Sequence, residues 1–269
     1  MLRIAILGAG NIGTSIAEGL VQSGRFSAPG ITLTRRTVQR VEAMKQKGFV
    51  VHADNTRAVK ESEIVIVAVE PQQVDAVLGE IAPSVTDRHV LISVVTGVSI
   101  AQIEGKVGKR AAVVRAMPNT AIAVRESMTC LASRDPASAA VATATSVFDA
   151  VGKTVLINEE EMIAATALGA CGVAFFLRAI RAASQGGIEV GLHSHSALAM
   201  AAQTAKGAAT LLLAMGTHPE QEIDRVTTPK GCTIAGLNQM EHAGFSSAMI
   251  RGITVSADKA SRLYADDDA

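Results

Sequence analysis

Short apolar, β-branched runs alternate with helix-period segments through the first half of the chain, and after Asn158 the runs stop. Arg3–Leu7, Ile31–Thr34, Ile64–Val69, Val90–Ser93 and Ala112–Arg115 have the length and Val/Ile content of strands. Between them Asn11–Ser23, Val38–Gln46, Pro71–Ile81 and Ile100–Glu104 repeat apolar residues at helical spacing. Ser127–Ala132 and Thr154–Ile157 read as further strands around a helix at Pro136–Ala150. Strands apolar on both faces and joined by helices predict a mostly parallel sheet covered on both sides, an α/β doubly wound domain over residues 1–157.

Residues 158–269 read as all-helical. Glu159–Gln185, Ser194–Met215 and Phe245–Leu263 are Ala-rich and helix-periodic, with shorter helices at Pro219–Val226 and Gly231–Ala243. Glu159, Glu160 and Glu161 put negative charge in the first turn of the longest helix, where the macrodipole favours it. That helix is apolar around much of its circumference and needs cover on every side. Its uncharged stretch, Met162 to Leu177, falls short of the ~20 residues of a bilayer crossing, so it is expected to be a buried helix of a soluble protein. A helical domain this small does not enclose it alone. An intertwined homodimer or higher homo-oligomer is therefore expected, with burial between the two domains of a monomer as the alternative.

Composition narrows the partners. Lys+Arg number 25 against 25 Asp+Glu, for a net charge of +0, so no basic excess marks a nucleic-acid or anionic-membrane surface. Aromatic residues are 3% with no Trp, which leaves little for base-stacking platforms. Small charged molecules remain. Cys130, Cys171 and Cys232 are odd in number and lack metal-ligand spacing, and read as free thiols in a reducing compartment. The opening apolar run is too short for a signal segment, and a cytoplasmic location is expected. His193 and His195, at a helix start, read as capping or exposed residues, and no metal is expected.

Gly8-Ala9-Gly10-Asn11-Ile12-Gly13 follows an apolar strand and opens a helix, the context of a dinucleotide-binding, Rossmann-type turn. Gly8 allows the turn, Gly10 lets the backbone approach a pyrophosphate, and Gly13 lets the helix pack on the strand. An NAD-type site has Asp or Glu at the end of the second strand to accept from the ribose 2′-hydroxyl. Here Thr34-Arg35-Arg36-Thr37 stands at that place, two guanidiniums suited to a 2′-phosphate. The expected cofactor is NADP(H).

Three further segments make the pattern specific. They are Val67-Ala68-Val69-Glu70-Pro71-Gln72, Arg115-Ala116-Met117-Pro118-Asn119-Thr120, and Thr227-Thr-Pro-Lys-Gly-Cys-Thr-Ile-Ala-Gly-Leu237. With the glycine motif, and in this order over essentially the whole chain, they resemble the Δ1-pyrroline-5-carboxylate reductase family. The resemblance implies an NADPH-binding Rossmann domain, a helical dimerisation domain, and an active site between them that reduces the imine of pyrroline-5-carboxylate to proline. It also implies that Asn55 lies near the adenosine, and Ala68, Val69 and Pro71 near the ribose and nicotinamide. Met117, Pro118 and Asn119 would stand at the nicotinamide, and Gly231, Cys232 and Thr233 would hold the substrate carboxylate, with Asn119 and Thr233 as catalytic candidates. Thr228 and Pro229 look like an N-cap and first helical residue, which would leave the N–H groups of Gly231, Cys232 and Thr233 free in a first turn.

The chain departs from the family pattern at Ala170-Cys171-Gly172-Val173-Ala174-Phe175, where the family has a Gly-Ser-Gly-Pro-Ala-Tyr-like run. Glu70 replaces a usual Lys, and Lys230 a usual Gly. Cys171, Gly172, Val173 and Lys230 are thus substrate-contact candidates that leave room for a related imine substrate. A β-hydroxyacid dehydrogenase shares the two-domain plan but looks for a Lys on the long helix, and Glu159–Gln185 has none. A non-catalytic NADP-binding sensor is the other alternative.

Overall fold

A computed structural model of the chain describes residues 2–262. The chain forms two compact units, one running to Cys171 and including the chain from Ser256, the other Gly172–Val255.

The first unit is built on an eight-stranded sheet: β1 Ile4–Leu7, β2 Ile31–Thr34, β3 Val50–His52, β4 Ile64–Val67, β5 Val90–Ser93, β6 Ala112–Met117, β7 Ser127–Ser133 and β8 Gly152–Leu156. The spatial order is β3-β2-β1-β4-β5-β6-β7-β8. All neighbours are parallel except β6 and β7. The link from Met117 to Ser127 holds only a 3₁₀ turn, Thr120–Val124, too short for the crossover that a parallel pairing needs.

Alternation along each strand feeds two separate cores. Ile4 and Ile6 of β1 pack with Ile16 and Leu20 of α1 (Asn11–Gln22) and with Val147 and Phe148 of a later helix on the same face. Ala5 and Leu7 point the other way and share a core with Val74 and Leu78, and with Ile100 and Ile103. Every residue of β1 and of β4 is buried, as strands covered on both faces must be.

The sequence pattern misses two elements. Strand β3 is three residues long, below the length at which alternation shows, and α3 (Asn55–Lys60) follows it, capped by Asp54 Oδ1 on the Arg57 N–H at 2.8 Å. Other elements are trimmed by their caps. The segment expected as a helix over Val38–Gln46 is a 3₁₀ turn followed by α2 (Glu42–Gln46), and Pro71–Gln73 is a 3₁₀ turn before α4 (Val74–Ile81). Ser99 caps α5 (Ile100–Val107) in a reciprocal pair with Gln102, and Ser138 starts α6 (Ala139–Phe148) three residues inside the expected helix.

The helix expected over Glu159–Gln185 is not uniform. It opens as a 3₁₀ turn at Glu159–Glu161, continues as α7 (Met162–Ala165), widens into a π-helix at Thr166–Cys171, and becomes α8 (Gly172–Glu189). Two polar ties fasten its first part to the sheet. Glu159 Oε1 accepts from Arg115 Nη1 at 3.1 Å and from the Ile100 N–H at 2.7 Å. Asn119 Nδ2 donates to the Gly169 carbonyl, within the π segment, at 3.0 Å.

The second unit holds α8, α9 (Ser194–Met215), α10 (Pro219–Val226), α11 (Cys232–His242) and most of α12 (Phe245–Ala260). The last helix was expected to reach Leu263, which lies outside the described residues. The expectation of a buried apolar helix is not met within one chain: Phe176 and Leu177 on α8 and Leu213 on α9 are 60%, 59% and 86% exposed. By length and composition alone, the helical runs Glu159–Glu189 and Ser194–Met215 are long and apolar enough to cross a membrane, longer than the uncharged stretch by itself.

Arg115 is nearly buried, so its partner matters more than a surface ion pair would. Glu159→Ala is expected to lower stability by about 2–4 kcal/mol, because it strands a buried guanidinium and a helix N–H. Thermal melts should show a drop of roughly 5–10 °C, and the double substitution Arg115→Met with Glu159→Leu, which removes both charges together, should recover most of it. A melt of Glu159→Ala matching the wild type would show that the pair contributes nothing.

Candidate functional site

The parallel strands β1 and β4 lie side by side while their connections leave in opposite directions, the position where an open sheet forms a crevice at its carboxyl ends. The turn from β1 into α1 occupies it. Both Gly8 and Ala9 donate their N–H groups to the Thr34 carbonyl, at 3.2 and 2.8 Å, so the turn is drawn onto the end of β2. Gly8 has φ +102°, and a Cβ there would lie 2.4 Å from the Ala68 carbonyl oxygen. A Cβ on Gly13 would lie 2.3 Å from the Gly8 oxygen. Gly10 differs: its φ is −88°, and nothing stands within 4 Å of the place a Cβ would take. Two glycines are therefore demanded by protein packing, while at the middle one the protein itself leaves room for a side chain.

Gly10 is also the N-cap of α1, with no side chain capping the helix and no acid in its first turn. The Thr14 N–H closes the first helical bond on the Gly10 carbonyl, leaving the N–H groups of Asn11, Ile12 and Gly13 for an anion.

A cleft of about 530 Å³ opens beside this turn. Of the sequence-predicted cofactor residues, Gly8, Gly10, Arg35, Arg36, Asn55, Ala68 and Val69 line it, together with Glu70. Arg35 Nη1 donates to the Ala9 carbonyl at 2.6 Å, which holds the guanidinium across the glycine turn, and Arg36 is exposed on the same wall. Two cations of the cleft thus stand beside a turn whose helix has free N–H groups at its start, though Asn11, Ile12 and Gly13 do not themselves line the cleft. Ala53, Val77 and Glu80 also line it and were not picked out from the sequence. Ala53 follows β3, the strand that the sequence pattern misses, and Val77 and Glu80 stand on α4.

The remaining predicted residues lie elsewhere. Pro71 opens the 3₁₀ turn beneath the wall formed by Glu70 and Gln72. Met117, Pro118 and Asn119 end β6, two strands along from β4, and all three are buried. Met117 packs with Cys130, Ala132 and Met162, where burial pushes the Cys130 thiol up and keeps it a neutral packing group. Both functions of the Asn119 amide hold backbone: Oδ1 accepts from the Ala121 N–H at 3.0 Å while Nδ2 reaches Gly169. Cys171 closes the π segment, and Gly172 and Val173 begin α8.

The start of α11 corrects one expectation. The helix begins at Cys232 with Gly231 as N-cap, not at Pro229 with Thr228. The Gly231 N–H is used, donating to the Thr228 carbonyl at 2.9 Å across a tight turn, so of the three expected donors Cys232 and Thr233 remain in the first turn of the helix. Lys230 occupies the third position of that turn at φ +59°, a left-handed conformation that explains why the family pattern has glycine there. A Cβ on Gly231 would meet the Thr228 Oγ1 at 2.5 Å, so the second glycine is kept.

Residues 159–263 match the family model described as pyrroline-5-carboxylate reductase dimerisation, and residues 3–97 match one described as NADP oxidoreductase, coenzyme F420-dependent. Pyrroline-5-carboxylate reductase 1 of Dictyostelium discoideum is 53% identical over 97% of this chain, which spans half the length of that protein. Pyrroline-5-carboxylate reductase 2 of the same organism is 46% identical over 98% of this chain and 93% of its own. The crystal structure of Plasmodium falciparum pyrroline carboxylate reductase with NADP bound shares the fold, with a TM-score of 0.88 at 22% identity over 98% of each chain. With its whole length aligned to such relatives and its glycine turn and cleft in place, the chain belongs to the pyrroline-5-carboxylate reductase family.

Proposed function

We propose that this chain is an NADPH-dependent oxidoreductase that reduces the cyclic imine Δ1-pyrroline-5-carboxylate to proline. The observation that carries the reading is the cleft beside Gly10, walled by Arg35 and Arg36 where a carboxylate would stand in an NAD-type site, in a chain of this family. When bound, the reduced nicotinamide supplies the hydride that the imine carbon accepts. A protonated cyclic imine is already electrophilic, so the protein's task is to align, bind and exclude water. Residues 1–157 form the cofactor-binding part of this reading and 158–269 the helical part.

The first turn of α1 and the two arginines bind the phosphates. Met117, Pro118 and Asn119 serve the nicotinamide end. Cys232 and Thr233, with Gly231 ahead of them, take the imino acid's carboxylate, and Lys230 adds a positive charge beside it. Cys171, Gly172 and Val173 replace the family's substrate-contact run and tune which imine is preferred. The three cysteines are unpaired, in keeping with a reducing, cytoplasmic setting.

We also propose that the exposed apolar faces of α8 and α9 are covered by a second copy of the chain, since both helices lie inside the match to a dimerisation region. Lipid is the other partner such faces could take, and the expectation here is a soluble homodimer.

Incubation of the protein with NADPH and pyrroline-5-carboxylate should consume NADPH faster than NADH, while a 3-oxo acid should not be reduced. Turnover of the 3-oxo acid alone would make the protein a dehydrogenase, and binding without turnover a sensor. Gly10→Ala is expected to melt like the wild type and lose NADPH affinity by at least about tenfold, since its backbone conformation suits alanine and only the open side is filled. Gly13→Ala should instead lower the melting temperature. Leu177→Asp should yield monomer or insoluble protein in light scattering, because a buried unpaired charge costs several kcal/mol; an unchanged dimer would exclude that face from the interface.

A further inference from the structure

The cleft contains a carboxylate that neither the glycine turn nor the arginine pair explains. Glu80 stands near the end of α4 and lines the wall opposite the end of β2. Its Oε2 accepts from Asn55 Nδ2 at 2.8 Å, and the Asn55 Oδ1 accepts from Thr34 Oγ1 at 2.6 Å. The Thr34 carbonyl in turn receives the N–H groups of Gly8 and Ala9. A second bond, Thr56 Oγ1 to the Glu80 carbonyl at 3.4 Å, ties the same two helices.

An ionised carboxylate accepts and cannot donate, so it fixes the direction of every bond in this chain. The Asn55 amide must turn its NH₂ toward Glu80 and its oxygen toward Thr34. Thr34 must spend its one proton on Asn55. Thr34 is only 1% exposed, so what the wall then offers a ligand is the second N–H of Asn55. Without Glu80 the amide is free to rotate by half a turn, which exchanges donor for acceptor at the same place.

We propose that Glu80 is a positioning residue for the adenosine half of the dinucleotide, acting through Asn55, whose amide it holds with an N–H presented to a ribose oxygen. This rests on the reading of the cleft as an NADP(H) site. Glu80 is exposed and joins no core, so it has little to do with holding the fold. Its effect belongs to the adenosine end, away from hydride transfer.

The test is fluorescence titration of the whole protein with NADPH and displacement by 2′,5′-ADP, which carries the adenosine end alone. Glu80→Ala is expected to weaken both ligands by about five- to tenfold, the worth of one ordinary hydrogen bond. Glu80→Gln keeps an acceptor oxygen for Asn55 but can also turn its NH₂ there, so it should lose less affinity than Glu80→Ala. The turnover number at saturating NADPH and the melting temperature should not move in either variant. Wild-type affinity in Glu80→Ala, equal losses in Glu80→Ala and Glu80→Gln, or a loss for NADPH without one for 2′,5′-ADP would each overturn the proposal. Wild-type protein that binds neither ligand would overturn the cofactor reading itself.

Discussion

The close approach of the β1–α1 turn to the end of β4 is the constraint on which the functional half of the molecule depends. The Gly8 Cα passes so near the Ala68 carbonyl that no side chain fits between them. That closeness lets the turn hang its two N–H groups on Thr34 and aims the first turn of α1 along the crevice. A larger residue at Gly8 would push the turn off β2, and the anion-binding N–H groups, the Arg35 contact to Ala9 and the Thr34–Asn55 bond would all lose their common reference point. Binding electrostatics here follow from a packing fact.

A second set of ties works at the other end of the sheet. The Arg115–Asn119 segment bears two polar side chains at its ends, and both reach the stretch that follows β8: Arg115 to Glu159, Asn119 to the Gly169 carbonyl. These bonds explain the motif as a unit. Because β6 and β7 run antiparallel, the chain turns back at Asn119 through the 3₁₀ link and does not cross over, so the amide at the reversal is placed to bracket a neighbouring helix. Asn119, the residue expected to do chemistry, also holds backbone through both ends of its amide.

Legibility in the sequence followed the length and strength of each signal. Strands of four or more residues rich in β-branched side chains and the Gly8–Gly13 motif stand out because burial on both faces and steric exclusion leave few residue types possible. Strand β3 did not stand out, since three residues cannot establish an alternation, and with it went α3, so that Asn55 was reached only through the family resemblance and Glu80 not at all. The π segment was invisible for another reason: its apolar and small residues satisfy an α-helical pattern equally well, and only the placing of Gly169 against Asn119 reveals the wider turn. The start of α11 was misread because Thr-Pro is a strong helix-opening signal on its own. A left-handed Lys230 two residues later is something no propensity would have chosen.

That lysine carries information about selection. Left-handed backbone costs a residue with a Cβ roughly 1–2 kcal/mol relative to glycine, and the exposed side chain joins no core that would offset it. A fold under pressure for thermal robustness alone would drift toward Gly at this position. The turn ahead of α11 thus carries a local backbone cost that a glycine at position 230 would not.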